Sequence, residues 1–287
     1  MIKLIASDMD GTLLNNQMQV TKQTIKAIEK AQAAGVEFIT ATGRGIGHAM
    51  ASLETAKIHV PMILLNGALV LDAHGETIFT VPIPREKAFE IMDVLEEEHI
   101  YYEIFTAKHV YSENQSVRID FFSERVAELS PTMSQKRVIA QTSSMMTILP
   151  IDYVADMRKT VIENEEEILK IIAFDKHGPA TLQTAETRIN ALGELAIAAS
   201  EASNIEINHV NAQKGIAVAR YAESMGITAD EVMAIGDNFN DVSMLRYAGT
   251  SFAMGNAEPE VKKEAKYVTV TNEENGVAKA IEQILSE

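Results

Sequence analysis

Asp8 and Asp10, two aspartates separated by one residue, have the residue types and spacing best suited to chemistry in this chain. They follow the apolar run at residues 2–6 and precede Gly11. In an extended chain, residues i and i+2 point to the same side, so both carboxylates would face one small volume. Two like charges that close together resist ionising unless a cation lies between them. The pair therefore predicts a site for a divalent metal.

Such a pair suits a reaction in which one carboxylate attacks as a nucleophile and its neighbour handles a proton, as in phosphoryl transfer. A surface turn or a calcium-binding loop is the alternative interpretation. An EF-hand loop that begins at Asp8 needs glycine at its sixth position and glutamate at its twelfth, where this chain has Leu13 and Gln19. The spacing therefore disfavours the calcium loop, and the other motifs of the chain argue against a simple surface turn.

Three further residues are suited to hold a phosphate. Thr42 and Gly43 lie where a predicted strand ends and a helix begins, and the exposed N–H groups of a helix start favour an anion. Lys214 opens a predicted amphipathic helix, where its charge is mildly unfavourable with the helix dipole. A phosphate ligand would explain an ammonium group at that position. Taken singly, the threonine would be a helix cap and the lysine a surface residue.

A loop near the C-terminus carries more carboxylates and amides. Asp237, Asn240 and Asp241 lie in it, directly after an apolar run that predicts a strand. Open α/β sheets bind ligands at the carboxyl ends of their strands. Since predicted strands also end just before Asp8 and Thr42, the four segments predict one common site.

Composition limits the kinds of partner. The chain has 287 residues, 46% of them apolar, which indicates a folded globular protein. A formal charge of −16 argues against nucleic acid or an anionic membrane as a partner, because both bind through Lys and Arg. The absence of cysteine excludes disulfides and thiolate chemistry. With no signal peptide and no run of roughly 18 apolar residues, we expect a cytoplasmic protein.

Strand and helix patterns alternate at both ends of the chain, which predicts an α/β core with a doubly wound (Rossmann-like), mainly parallel sheet. We expect residues 1–82 and 208–287 to form this core and residues 83–207 to form an inserted α+β domain. The predicted elements are strands near 2–7, 36–41, 62–65, 101–105, 168–174 and 231–235, a hairpin near 74–75, and helices near 21–34, 44–56, 85–99, 152–163, 179–192 and 214–225.

The four segments resemble the signature of the haloacid dehalogenase-like superfamily. Asp-Met-Asp-Gly-Thr-Leu-Leu from Asp8, Ala-Thr-Gly-Arg from Ala41 and Gly-Asp-Asn-Phe-Asn-Asp from Gly236 are similar to its Cof-type phosphatase branch. Weaker similarities lie at residues 66–68, 254–257 and 274–278. The insert corresponds in position to the type IIB cap of that family.

The resemblance implies covalent catalysis. Asp8 would attack phosphorus and become an aspartyl-phosphate, and Asp10 would protonate the leaving alcohol and then activate water. Mg²⁺ would be held by an Asp8 carboxylate oxygen, the backbone carbonyl of Asp10 and Asp237. The phosphoryl oxygens would be bound by Thr42, Lys214, Asn240 and the backbone amides of Met9 and Gly43. Asp241 would support the site by orienting Lys214 or the waters on the metal.

The implied activity is hydrolysis of small phosphorylated metabolites, such as sugar phosphates. Dehalogenases of the family lack an acid at the position of Asp10, so dehalogenation is disfavoured. A phosphomutase or phosphotransferase remains an alternative, as does a non-catalytic sensor of phosphate and metal, although a sensor would be expected to have lost one of the key residues. Arg44 could serve packing or an ion pair rather than contact the substrate, and the sequence indicates no oligomeric state.

Substrate choice is expected to lie in the insert, which would close over the site and contact the leaving group. Arg118, Arg137 and His177 of the insert could meet a polar substrate. Each is more typical of an exposed surface residue, so none is assigned.

Overall fold

The computed structural model describes residues 1–129, 133–134, 136–139, 142, 151–176, 179–199 and 203–286. Its strands are β1 Leu4–Ser7, β2 Glu37–Ala41, β3 Met62–Leu64, β4 Leu69–Leu71, β5 Thr77–Thr80, β6 Tyr101–Phe105, β7 Val110–Ser112, β8 Asp152–Tyr153, β9 Lys170–Phe174, β10 Leu195–Ala198, β11 Asn204–His209, β12 Val232–Gly236, β13 Thr250–Ala253 and β14 Tyr267–Val268. The helices with described bounds are α1 Lys22–Ala33, α2 Ile46–Ala56, α3 Arg85–Glu97, α4 Gln115–Leu129, α5 Met157–Glu163, α6 Pro179–Asn190, α7 Lys214–Ser224, α8 Val242–Tyr247, α9 Pro259–Lys262 and α10 Gly276–Ser286.

The chain divides into two compact units. The first, the core unit, comprises Met1–Val81 and Asn211–Glu287, and the second, the insert unit, comprises Pro82–Val210. One is an α/β unit with a mainly parallel sheet and the other an α+β unit with a mainly antiparallel sheet, so the predicted fold class is confirmed.

The sheet of the core unit has the order β14-β13-β12-β1-β2-β3-β4-β5. Its strands run parallel from β14 to β3, and β4 and β5 add an antiparallel edge. One face is covered by α7 and α8, whose apolar residues join a cluster with Leu4, Ile39 and Val232. Helices α1 and α10 pack against each other, and α1 contacts β2. Burial on both faces explains why these strands are almost continuously apolar.

Strand register brings the ends of three strands together. Ser7 at the end of β1 lies beside Thr40 of β2 on one side and Ile235 of β12 on the other. Because the three strands are parallel, the loops that follow them leave from the same edge of the sheet. Those loops carry the predicted site residues of three segments.

The sheet of the insert unit has the order β10-β11-β9-β6-β7-β8 and is antiparallel except where β7 meets β8. Alternate residues such as Tyr102, Ile104 and Ile171 join the apolar residues of α3, α5 and α6 in one buried cluster. The strand period of two leaves the intervening residues, among them Glu103 and Lys170, on the opposite face.

Two parts of the insert differ from the sequence expectation. Residues 152–163 do not form one helix, because Asp152 and Tyr153 pair with β7 as strand β8 and the helix begins only at Met157. Asp156 sets that start, since its side chain accepts a hydrogen bond from the Lys159 amide, as expected of an N-cap. Helix α4 was not foreseen at all.

Among the described helices, none is long and apolar enough to cross a membrane.

Candidate active site

Asp8 and Lys214 form a buried ion pair at the carboxyl edge of the core sheet. Asp8 follows β1 and is 4% exposed, and Lys214 opens α7 and is 1% exposed. The Lys214 Nζ donates to Asp8 Oδ1 at 2.5 Å. Burial raises the pKa of Asp8 well above its usual value, and the nearby carboxylates of Asp241 and Asp237 add to this rise against the opposing effect of Lys214. Removing charges from water is costly, so this pair needs close partners.

Asp241 completes the environment of Lys214. Its Oδ1 accepts from Lys214 Nζ at 2.6 Å, and its Oδ2 accepts from the backbone amides of Asp237 and Asn238, both at 2.9 Å. Burial alone would lower the pKa of Lys214, but the carboxylates of Asp241 and Asp8 raise it, so the lysine is held as a cation. One oxygen of Asp241 thus accepts from Lys214 and the other from its own loop, which suits the supporting role that the sequence suggested.

Asp237 lies next to this pair. Its Oδ1 accepts from the Thr12 hydroxyl at 2.6 Å, and Gly11 approaches it so closely that an added Cβ would lie 2.5 Å from Asp237 Oδ2. Gly11 also has a φ of +73°, which a side chain disfavours, so both its conformation and its neighbour require glycine. Burial raises the pKa of Asp237 to about 6, with Thr12 lowering it and Asp241 raising it.

Asp10 points to a different partner. Its two carboxylate oxygens accept from Arg44, Oδ2 from Nε at 2.7 Å and Oδ1 from Nη2 at 2.5 Å. The Asp10 side chain is 48% exposed, whereas Arg44 is 17% exposed. Arg44 therefore forms an ion pair with the predicted general acid, which answers a question that the sequence left open.

The predicted phosphate-binding residues lie around the same loops. Thr42 is buried at the end of β2, and its Oγ1 accepts from the Arg44 amide at 3.2 Å. Gly43 follows it in the loop before α2, and Met9 is buried between the two aspartates. The Asn240 Nδ2 donates to the Asn66 Oδ1 at 3.1 Å. Every residue that the sequence assigned to the site thus belongs to the loops and helix start of the core unit.

Comparison with known proteins decides the family. The family model for haloacid dehalogenase-like hydrolases matches residues 5–281. The chain belongs to that family. It is 32% identical to Phosphatase YwpJ of Bacillus subtilis over 99% of this chain and 100% of the relative. It is also 32% identical to the 5-amino-6-(5-phospho-D-ribitylamino)uracil phosphatase YwtE of the same organism, over 99% of both chains.

A solved structure agrees with this assignment. The haloacid dehalogenase-like hydrolase from Bacillus subtilis superposes with a TM-score of 0.84 at 31% identity, covering 98% of this chain and 99% of the other. The family predicted from the sequence is confirmed, and the chain is a phosphatase of the haloacid dehalogenase-like type.

The carboxylates of this hydrolase fit a divalent cation. Oxygens of Asp8, Asp237 and Asp241 lie within 4.8 Å of one another, and Lys214 is the cation paired with two of them. With all three carboxylates ionised, their charge would exceed that of the one ammonium by two, and a divalent ion would offset this excess. Oxygen ligands are those that Mg²⁺ prefers. Since both Asp241 oxygens already accept hydrogen bonds from the protein, Asp8 and Asp237 are the two carboxylates of this group that could hold the ion.

Sequence reasoning missed residues that support the hydrolase site. Thr12 holds Asp237, and Asn256 donates to the Gly11 carbonyl at 2.8 Å and lies 3.4 Å from Asp237 Oδ2. Thr12 belongs to the first motif and Asn256 to a segment that the sequence singled out only as a weak similarity. Their contacts span more than 200 positions for Thr12 to Asp237 and for Asn256 to Gly11, so spacing alone gave no signal.

One of the three unassigned candidates of the insert unit, Arg118, differs from expectation. Arg118 is 3% exposed, and its Nε donates to Glu103 Oε1 at 2.6 Å, so the expectation of an exposed residue was wrong. Arg137 is exposed, as expected. His177 lies outside the described residues.

Proposed function

We propose that this chain is a Mg²⁺-dependent phosphatase of small phosphorylated metabolites that forms an aspartyl-phosphate on Asp8. The observation that carries the proposal is the buried pair of Asp8 and Lys214, with Asp237 close by and an excess of negative charge. An anionic nucleophile buried beside a fixed cation is arranged to meet a group that itself brings negative charge and a metal.

In the first chemical step, an Asp8 carboxylate oxygen forms a bond to phosphorus while the bond from phosphorus to the ester oxygen breaks. Asp10 gives a proton to the leaving alcohol. In the second step, a water oxygen attacks phosphorus as Asp10 accepts its proton, which releases phosphate and restores the Asp8 carboxylate. Splitting one displacement into two in this way is the purpose of covalent catalysis.

The other residues would bind and orient the phosphoryl group. Lys214, already bonded to Asp8, would place its ammonium against a phosphoryl oxygen beside the nucleophile. Thr42, Asn240 and the amides of Met9 and Gly43 would donate to the remaining oxygens. Mg²⁺ held by Asp8, Asp237 and the Asp10 carbonyl would neutralise charge on the phosphoryl group. Asp241 would hold Lys214 in position.

Two facts support small phosphorylated metabolites as the class of substrate. The relative YwtE is named for a small phosphorylated metabolite, a phosphoribitylamino-uracil. The chain itself carries a net charge of −16, which disfavours a nucleic acid or an anionic membrane. The insert unit would determine which of these metabolites is preferred, and the protein would act in the cytoplasm.

Phosphate release from a panel of phosphorylated metabolites tests the proposal, measured with Mg²⁺ and with a chelator. We expect release only with Mg²⁺, and a loss of kcat of about a thousand-fold or more in Asp8→Asn, the scale on which removal of a nucleophile lowers kcat. Asp156→Asn is the matched control, because asparagine also caps helices well and Asp156 caps α5. Transfer of phosphate to a second sugar rather than to water would instead indicate a mutase, and binding of phosphate without turnover would indicate a sensor.

A further inference from the structure

The turn Leu65–Gly67, between β3 and β4, has an unusual backbone. Leu65, Asn66 and Gly67 have φ values of +51°, +60° and +109° in succession. Residues other than glycine rarely adopt a positive φ, although asparagine does so more often than most, and a bulky residue such as leucine is an outlier there. Backbone of this kind persists only where surrounding contacts hold it, and it is frequent at functional sites.

The turn is bonded to the segment that carries Thr42. The Leu65 amide donates to the Arg44 carbonyl and the Asn66 amide to the Thr42 carbonyl, each at 3.0 Å. Thr42 also donates its own amide to the Ile63 carbonyl at 2.8 Å. The left-handed conformation thus directs two successive amides of the turn toward one neighbouring loop, which fixes the backbone around Thr42.

The side chain of Asn66 reaches a second loop. It is 6% exposed, and its Oδ1 accepts from Asn240 Nδ2 at 3.1 Å. A side-chain amide donates only through its nitrogen. Because Asn66 presents its acceptor Oδ1 to Asn240, the Nδ2 end of the Asn240 amide faces Asn66. The Asn240 Nδ2 carries two hydrogens, and this bond uses one of them. In the proposed complex, the second would donate to a phosphoryl oxygen.

Gly67 contacts the start of a third segment. A Cβ added at Gly67 would lie 2.7 Å from the carbonyl oxygen of Gln213, the residue that precedes Lys214 and α7. The turn therefore packs directly on the backbone from which the lysine emerges. Three of the four segments that carry site residues meet this one turn.

We infer that Asn66 is a positioning residue for phosphoryl binding, acting through the amide of Asn240, and that its turn holds the Thr42 loop and the start of α7 in register. The inference rests on the proposed phosphatase function, because it assigns a purpose to Asn240 only if a phosphoryl group binds there. Asn66 itself need not touch the substrate.

Asn66→Gly separates the side chain from the backbone, because glycine adopts the left-handed conformation without cost and lacks the acceptor oxygen. We expect the inhibition constant of orthovanadate to rise and kcat/KM to fall by about 10- to 100-fold, as for other residues that orient a ligand-binding group. The thermal unfolding midpoint should stay close to that of the parent protein. Asn275→Gly is the matched control, since Asn275 has a φ of +62° and its Oδ1 accepts from Thr21.

A double-mutant cycle with Asn240→Ala decides whether Asn66 acts through Asn240. If it does, Asn66→Gly adds little further loss to Asn240→Ala, because coupled residues are not additive. Additive losses in the double variant, or unchanged vanadate inhibition in Asn66→Gly, would overturn the inference while leaving an active phosphatase. A parent protein that neither turns over phosphate esters nor binds vanadate would overturn the proposed function and the inference with it.

Discussion

Arg44 links the predicted general acid to a helix. Two of its nitrogens hold both oxygens of Asp10, while its Nη1 donates to the His48 carbonyl at 3.3 Å and to the Ser52 hydroxyl at 3.1 Å. His48 and Ser52 belong to α2, so Asp10 is tied to a rigid element rather than left free in its loop. A planar guanidinium can make such a paired contact and a lysine ammonium cannot.

Arg44→Ala should impair the proton transfer of Asp10 more than the binding of phosphate. We expect kcat/KM, which reports the steps up to release of the leaving group, to fall by about tenfold for an alkyl phosphate, whose alcohol needs a proton to leave. It should fall by much less for p-nitrophenyl phosphate, whose leaving group needs none. Steady-state kinetics with both substrates measures the difference. Arg246→Ala removes an exposed arginine paired with Glu264 and serves as the control. Equal losses for both substrates would contradict a positioning role for Arg44.

At the scale of elements, regular strands of the core were largely predictable. Residues 232–235 form an apolar run with two β-branched residues, and the structure has β12 at Val232–Gly236. Helix α4 escaped prediction because its stretch is rich in β-branched and aromatic residues, which favour strands. The rings of Phe121 and Phe122 pack against Phe174 in tilted and edge-on arrangements, so tertiary contacts offset the preference of this stretch for a strand.

The candidate site likewise contains residues that the sequence could predict and contacts that it could not. Asp8 and Asp237 could be singled out because each directly follows a strand whose apolar pattern is plain, and Asp10 because it lies two residues after Asp8. The contacts of Asn66 could not, because they depend on a left-handed turn and on a bond to a residue 174 positions away. Sequence spacing carries no information about such a bond.

Glu231, the residue before β12, makes a contribution to stability that depends on pH. Lys3 and the Thr228 amide lower the pKa of Glu231 to about 2, from an ordinary value of 4.5. A carboxylate with a lowered folded-state pKa stabilises the fold above the unfolded-state value, and this contribution disappears as pH falls from about 4.5 to about 2. Glu231→Gln should therefore lower the unfolding midpoint near neutral pH, with the deficit closing toward the acidic limit. Thermal melts from pH 7 to pH 3 check this, and a deficit independent of pH would contradict it.

At the scale of the whole molecule, each of the two units has a hydrophobic cluster of its own. The buried cluster under α7 and α8 lies entirely in the core unit, and the cluster under α3 lies entirely in the insert unit. All assigned site residues belong to the core unit, although its sequence comes from both ends of the chain. Insertion of one unit into another at a surface connection is tolerated when each has its own hydrophobic core.

Replacement of residues 82–210 by a short glycine-serine linker should leave a core that still unfolds cooperatively and binds orthovanadate in the presence of Mg²⁺. Discrimination among phosphate esters should be lost, so that kcat/KM values for the panel converge at a low level. Thermal unfolding, vanadate inhibition and the substrate panel are the three readouts. Retained preference for one ester would show that the core unit, rather than the insert unit, selects the substrate.

The phosphorylation of Asp8 is the central claim, and trapping it is the most direct test. In Asp10→Asn, p-nitrophenyl phosphate should still phosphorylate Asp8, because its leaving group needs no acid, but hydrolysis should slow because no base activates water. We predict a burst of nitrophenolate close to one equivalent per chain, and mass spectrometry of the acid-quenched protein should find the phosphoryl group on Asp8. A burst-free reaction with phosphate on no residue, in a protein whose parent turns over the same substrate, would contradict the covalent mechanism.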